Sequence, residues 1–359
     1  MQWQRVHIFD ELSRHDVKFE IFNPLLFSNI EEANIALVKR IKEEKYDLFL
    51  SNLCNDKHLF VESVCEIKKA GVPTLCFRSD NLSIPFYDKV LSKYFDLVWL
   101  TSVDTKYLYD KWGATTMFAP YAANPYVYKF SPTKQIRKGV FIGTPYGSRA
   151  VMINKLSASG IPIDLYYGKN KNSVEAEDEG KIVPLFSLYA DSPAKALFNR
   201  IRFKEGRKLL HGAIVDKIRG VEEIKYNESI TKSPSVSFSE MTQHYSNYAL
   251  SLSFSSTEHT DVLRRPLSRT FLRTFEIPMC GGIQFCRYCD EISTYFEDGK
   301  EIVMYHDDNE LIEKAKYYTE KASDQELLTM KQSARKRSEN EHTWMSRFKI
   351  AFDKLGLKY

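Results

Sequence analysis

The chain has 359 residues, 43% of them hydrophobic and 27% charged, with a formal net charge of +4. That length predicts two domains rather than one, and the composition excludes a disordered chain. The small positive balance is too slight to make nucleic acid an expected partner.

The chain opens on MQWQRVHIFDELSRHDVKF, which reads as helix and is interrupted by charge every few residues. It therefore does not read as a secretory signal, and no later run approaches the ~20 apolar residues that span a bilayer. Most α/β domains open on a strand, so either a first strand is missing here or the sheet starts one element late. EIFNPLLF (20–27), YDLFLSNL (46–53), VPTLCF (72–77) and DLVWLTS (96–102) are short apolar runs of strand character. EEANIALVKRIKEEK (31–45), VESVCEIKKAG (61–71) and YDKVLSKY (87–94) separate them as amphipathic helices. Strand–helix alternation with near-continuous apolar strands predicts a parallel sheet covered on both faces.

PYAANPYVYKFSPTKQIRKG (120–139), rich in Pro, Asn and Lys, reads as an interdomain linker. The pattern then restarts. GVFIGTPYGSR (139–149) is a strand running into a glycine turn, VMINKLSASG a helix ending in Gly, and IPIDLYYGK a strand. Residues 172–240 carry helical periodicity without clear strands, and YALSLSFSS (248–256) is again a strand. EDGKE is a turn into the strand IVMYH, and DDNELIEKAKYYTEK (307–321) starts a helix on acidic and amide caps. Trp344, Phe348 and Phe352 mark one face of a last helix. The six cysteines, mostly inside apolar runs, suit buried thiols in a reducing compartment, so a cytoplasmic protein is expected. The Cys286–Cys289 spacing lacks companions for zinc.

In open α/β sheets, ligands bind beyond the carboxyl ends of strands. The residues that matter therefore follow strands: Ser79 to Asn81, Gly143 to Arg149, Gly168-Lys169, and 255–276. In the last segment Pro266 predicts a helix start. Leu267, Phe271 and Phe275 then share one face, and Arg265, Arg269 and Arg273 the opposite one, with Glu276 a turn beyond. Pro278 and Gly281-Gly282 predict its end, with a left-handed cap and close approach by another group. On spacing alone the plainer reading is a solvated basic face, with an Arg273–Glu276 pair worth ~0.3 kcal/mol.

RTFEIPMCGGIQF (273–285), YFEDGKEIVMYHDDNELIEKAKYYTEK (295–321) and EHTW (341–344) resemble the carboxyl-terminal half of group 1 glycosyltransferases of the CgeB-like, spore-maturation-type branch. GVFIGTPYGSR with IDLYYGK extends the resemblance, and FDLVWLTS…YAANP carries it more loosely into the first half. It implies a GT-B fold: two Rossmann-like, doubly wound α/β domains facing across a cleft, with a carboxyl-terminal crossover helix. The expected bounds are 1–130 for an acceptor-side domain, 131–335 for a donor domain, and 336–359 for the returning helix.

The resemblance also assigns roles. Glu276 would accept hydrogen bonds from both ribose hydroxyls of a nucleotide. Arg273 and Arg269 would sit at the diphosphate, where Arg273 stabilises the leaving group. Gly143, Arg149, Gly281, Gly282 and His259 complete the expected donor contacts. The wider superfamily pairs two glutamates with seven residues between them, and Ser268 stands at the upstream position here. Asp80 is the candidate base or acceptor contact in the first half, although Asp80-Asn81 also reads as a simple turn.

The expected activity is transfer of a hexosyl-type unit from a nucleoside-diphosphate sugar to a glycan, lipid-linked or protein acceptor, in envelope polysaccharide or glycoconjugate synthesis. The expected place is the cytoplasm or the inner face of its membrane. No cofactor or metal is expected: EAEDEG and HDDNE read as a loop and a helix start, and no G-x-G-x-x-G or Walker A pattern occurs. Two alternatives stay open. One is a GT-B-like protein that binds nucleotide or glycan without turnover. The other is a glucosyltransferase acting on modified DNA bases, for which the basic run RIRFKEGRK (200–208) is suited.

Overall fold

The computed structural model describes residues 4–79, 81–168, 193–220 and 223–359. These fall into two compact units. One holds the described residues of Met1–Glu11, Tyr121–Glu179 and His211–Trp344, and the other those of Leu12–Pro120, Gly180–Leu210 and Met345–Tyr359.

In chain order, α1 (Ile30–Glu43) leads to β1 (Phe49–Ser51), α2 (Val61–Lys69), β2 (Thr74–Arg78), β3 (Leu97–Leu100), α3 (Lys106–Lys111) and β4 (Thr116–Phe118). Next come β5 (Ile136–Ile142), α4 (Ser148–Ala158), β6 (Ile163–Tyr166), α5 (Pro193–Ile201), α6 (Lys204–Arg219) and β7 (Ile230–Ser233). The chain continues through α7 (Phe238–Asn247), β8 (Tyr248–Leu252), α8 (Leu272–Met279), β9 (Gln284–Arg287) and β10 (Val303–Tyr305). It closes with α9 (Asp308–Lys316), α10 (Asp324–Glu341) and α11 (Trp344–Leu355).

Side chains set several of these starts by taking orphan amide protons. Asn29 accepts from Glu32 N at 2.8 Å to begin α1, and Asp307 accepts from Asn309 N and Glu310 N to begin α9. Ser237 and Glu240 form a reciprocal capping box on α7.

Strands β1 to β4 form a parallel sheet in chain order. Every residue of β2 and β3 is buried, as both-sided cover requires. Its core includes Val64, Ile67, Cys76, Val98, Leu100 and Tyr109. Arg78 and Asp88 make a buried ion pair at 2.8 Å, and Tyr109 also donates to Asp88. Burial pushes the Asp88 carboxyl above its usual range, with Arg78 pulling the other way.

The second sheet is parallel with the order β10-β9-β8-β5-β6-β7. The chain winds outward from β5 through β6 to β7, returns to β8 beside β5, and winds outward the other way. The reversal lies between β5 and β8, where a doubly wound sheet opens its binding crevice. Its core includes Ile153, Leu165, Leu250, Phe285, Val303 and Leu327.

The structure departs from the sequence reading in five places. EIFNPLLF is not a strand: Asn23 Oδ1 accepts from Leu25 N at 3.1 Å and Pro24–Leu26 is a 3₁₀ turn. YDKVLSKY forms two 3₁₀ turns, Pro85–Asp88 and Ser92–Tyr94, not a helix. The edge strands β4 and β7 were not foreseen. The supposed linker is not a free tether, because Tyr121, Ala122, Ala123, Asn124 and Tyr128 are all buried and β5 starts within it. Last, no helix starts at Pro266. Ser268 instead bridges Ser256, and α8 starts at Leu272 with Thr274 Oγ1 accepting from Phe271 N at 3.0 Å. Arg265, Arg269 and Arg273 therefore do not share a helical face.

Candidate functional site

The loops leaving β5 and β8 meet at the strand-order reversal, inside the six-stranded unit. After β5, Gly143 adopts φ +142 and Gly147 φ +56, conformations that side chains oppose. Gly147 hands the chain to the amino terminus of α4, which has no side-chain cap; Arg149 N donates to Tyr146 O at 3.2 Å and Ala150 N to Gly147 O at 3.0 Å. Arg149 folds back over this turn: its Nη1 donates to Thr144 O at 3.2 Å, and its guanidinium lies 4.4 Å from the Tyr146 ring centre.

His259, from the loop after β8, reaches the same turn. A Cβ built on Gly147 lies 3.9 Å from His259 Nδ1, and the Tyr146 and His259 ring centres are 6.1 Å apart. His259 Nδ1 is bonded to Asp216 Oδ2 at 2.8 Å. Asp216 escaped the sequence reading, but α6 explains it. A Cβ at Gly212 would fall 2.8 Å from His259 O, so only glycine lets α6 pack so close. One turn on, Asp216 takes the imidazole; nearly one further, Arg219 Nη1 donates to Val262 O at 3.1 Å. Residues 212, 216 and 219 are one face of the helix.

The loop after β8 doubles back as a short antiparallel ribbon. Thr257 N donates to Leu267 O at 2.8 Å and Arg269 N to Ser255 O at 2.9 Å. Arg269 is 3% exposed. Thr270 then docks on Glu291 through its amide and hydroxyl, which fixes the entry to α8.

Arg273 and Glu276 lie on α8 and are bonded to each other. Glu276 is 3% exposed, and its second oxygen accepts from the Tyr128 hydroxyl. Tyr245 lies beneath the Arg273 guanidinium, and the His7 ring lies tilted against Tyr128 at 5.3 Å between ring centres. Burial, reinforced by the Glu276 charge, pushes the Tyr128 phenol well above its usual range. Burial lowers the His7 pKa, and Glu276 only partly opposes it. Burial alone works against the Arg273 charge, but Tyr245, Glu276 and Tyr128 outweigh it and raise its pKa.

Gly281 and Gly282 sit elsewhere. They precede β9, at the amino edge of the sheet, opposite the crevice edge. Gly281 has φ +66, and a Cβ there would fall 2.3 Å from Phe130; one on Gly282 would fall 2.8 Å from Ile277. Both serve the α8 cap and its packing, Gly281 N donating to Pro278 O and Gly282 N to Ile277 O. Asp80 lies outside the described residues. Among the described residues, no three His, Cys, Asp or Glu side chains converge as a metal site requires. Also among them, no helix is long and apolar enough to cross a membrane.

The fold is matched in solved structures. Anabaena HepE in complex with UDP superposes with a TM-score of 0.55 at 15% identity, over 97% of this chain and 88% of that one. HepE in complex with UDP-glucose gives 0.54 at 12% identity over the same shares. A glycosyltransferase from Rickettsia africae gives 0.53 at 10% identity, over 97% of this chain and 87% of that one. The fold is GT-B. Within this GT-B chain, residues 195–353 match a family model described as glycosyl transferase-like. That segment includes His259, the ribbon and α8. No curated protein matches the chain.

Proposed function

We propose that this GT-B chain is a nucleotide-sugar-dependent glycosyltransferase that moves a hexosyl-type unit to an acceptor hydroxyl. The observation that carries the reading is the glycine turn at the strand-order reversal, flanked by the start of α4, Arg149 and His259. Backbone amides at a helix start with a guanidinium beside them are suited to a diphosphate. The glycosyl transferase-like match and the fold shared with HepE, solved with UDP and with UDP-glucose, support it.

In this reading the donor's ribose lies against Glu276 and its diphosphate against the 143–149 turn. The acceptor oxygen attacks the anomeric carbon, the bond to the diphosphate breaks, and Arg273 and His259 stabilise the negative charge that leaves. Asp80 is assigned to the acceptor side, taking the hydroxyl proton. No metal or cofactor is assigned. The acceptor is a glycan, lipid-linked or protein hydroxyl in envelope polysaccharide or glycoconjugate synthesis, as the CgeB-like resemblance implies.

A place at the inner membrane face is supported by α5, which exposes Leu197, Phe198 and Ile201 beside Arg202 and Lys204. Co-sedimentation with anionic vesicles, reduced by Phe198→Ser, tests it; no binding to such vesicles removes it. Ser268, at the upstream position where the wider superfamily has a glutamate, favours a second reading in which nucleotide binds without turnover.

Calorimetric titration with UDP, GDP, CDP and dTDP tests the main reading. Saturable binding of one nucleotide, together with donor turnover, is expected. Binding without turnover selects the second reading, and binding of none removes both.

A further inference from the structure

The four-stranded unit has a cavity of about 660 Å³ between the carboxyl-terminal ends of α1 and α2. Its walls include the turns that lead from these helices into β1 and β2, residues 44–47 and 70–72. β1 and β2 are parallel, so both turns lie at the amino edge of the sheet. Ligands of open α/β sheets bind at the opposite, carboxyl edge. The cavity is therefore separate from any site beyond the strand ends, and its size falls within the ~300–1,000 Å³ of small-molecule sites. Ile41 and Val72, both buried, line it, and a Cβ built on Gly71 would meet nothing within 4 Å.

The lining charges balance and are interleaved. Lys42, Lys45 and Lys69 stand with Glu44, Asp47 and Glu66. Lys42 and Lys69 share one carboxylate, Glu66, at 2.5 and 2.8 Å. Tyr46 offers one phenolic proton to two carboxylates, Glu20 and Glu44, each 2.6 Å away. Glu20 also has Arg40, so Glu44 is the one left without a cation among the described residues. Lys45 and Asp47 are exposed, and neither side chain is paired with another described residue. Ammonium donors and carboxylate acceptors are thus left over side by side. A simple ion would gain from one sign and lose to the other. A hydroxyl donates and accepts at once, so a polyol can satisfy both. Its carbon faces suit Ile41, Val72 and the Tyr46 ring, which also lines the cavity.

We propose that this cavity is an accessory glycan-binding groove, which holds an uncharged stretch of saccharide through its hydroxyl groups. Under the proposed function that saccharide belongs to the acceptor or the product, which selects a glycan among the acceptor classes. A chain held there stays bound between successive transfers. That assignment rests on the nucleotide-sugar reading, whereas the binding of saccharide by the groove does not.

The test is native electrophoresis of the full chain through gels containing laminarin, dextran or mannan, with polygalacturonate as a charged control. Mobility is read against a gel without saccharide, for wild type, Asp47→Ala and Ala70→Trp. Both positions are exposed, so both variants should keep the wild-type melting temperature. Wild type should be retarded by at least one of the neutral saccharides. In Asp47→Ala the concentration that halves mobility should rise about tenfold, as the loss of a hydrogen bond to a charged group implies. Ala70→Trp, which puts an indole into the cavity, should not be retarded. Retardation by polygalacturonate alone would mean ion pairing and overturn the groove. So would equal retardation of Ala70→Trp, or none of wild type in any gel. Failure of UDP to bind while retardation persists would sink the donor reading and leave the groove standing. Donor turnover without retardation would remove the groove alone.

Discussion

At Glu276, packing and the proposed chemistry compete for one carboxylate. Tyr128 and Arg273 each hold one of its oxygens, yet a carboxylate has lone pairs for about four donors. If ribose uses those that remain, Glu276→Gln should weaken UDP binding by about 1.5–3 kcal/mol, the usual worth of hydrogen bonds to a charged group. Tyr128→Phe should tighten UDP, because a competing donor is gone, while lowering stability by about 1 kcal/mol. Titration calorimetry reads both, and weaker binding in Tyr128→Phe would give Glu276 a purely structural role. His259 poses a different question, since its ring is set by Asp216. Asp216→Asn and His259→Asn should each weaken UDP about tenfold, or about 1.4 kcal/mol, and leave uridine unaffected. The double variant should lose no more than either single one, since the two act as a unit. Full additivity in that cycle would separate them.

Among the elements, α8 carries the largest gap between sequence and structure. Leu267, Phe271 and Phe275 fall at helical spacing by coincidence, and the Ser256–Ser268 bridge overrides the local signal. Strands β2, β3 and β8 were legible because burial on both faces leaves an apolar run in the sequence. β7 was not: only one of its four residues is buried, so Ile-Thr-Lys-Ser carries no strand pattern. Gly143, Arg149 and His259 were legible as residues after strands. Asp216 was not, because its partner lies 43 residues away and its helix shows only a solvated-looking sequence. The glycines after α8 illustrate a signal read correctly for conformation. Gly281→Ala should destabilise the six-stranded unit by about 1–3 kcal/mol from overpacking against Phe130, beyond the strain of its positive φ. Gly71→Ala isolates the strain, since Gly71 has φ +80 with nothing within 4 Å of a Cβ. Equal losses in denaturant melts of the two would remove Phe130 from the account.

For the whole molecule, stability should carry a pH signature from one buried lysine. Lys331 on α10 is 1% exposed and donates to Ser246 O at 2.7 Å and Gln135 Oε1 at 3.0 Å. Four residues on, Arg335 donates to the carbonyls of Tyr128, Met279 and Pro125, so one face of α10 ties together α7, α8 and the chain before β5. Burial lowers the Lys331 pKa to about 8, with Asp324 only partly opposing it. In the unfolded chain a lysine titrates near ~10.4. Below pH 8 both states hold the proton, and the native state bears the full cost of a desolvated charge. Between about pH 8 and 10.4 the unfolded state binds more protons, so stability from this group rises with pH, by about 1.4 kcal/mol per unit. Buried phenols such as Tyr305, whose pKa burial also raises, push the opposite way at higher pH, so the wild-type curve alone does not isolate the lysine. Lys331→Met removes it and keeps most of its volume. The melting temperature of wild type minus that of Lys331→Met should climb from pH 8 to 10, and a flat difference across that window would mean that Lys331 titrates at the same pH in both states.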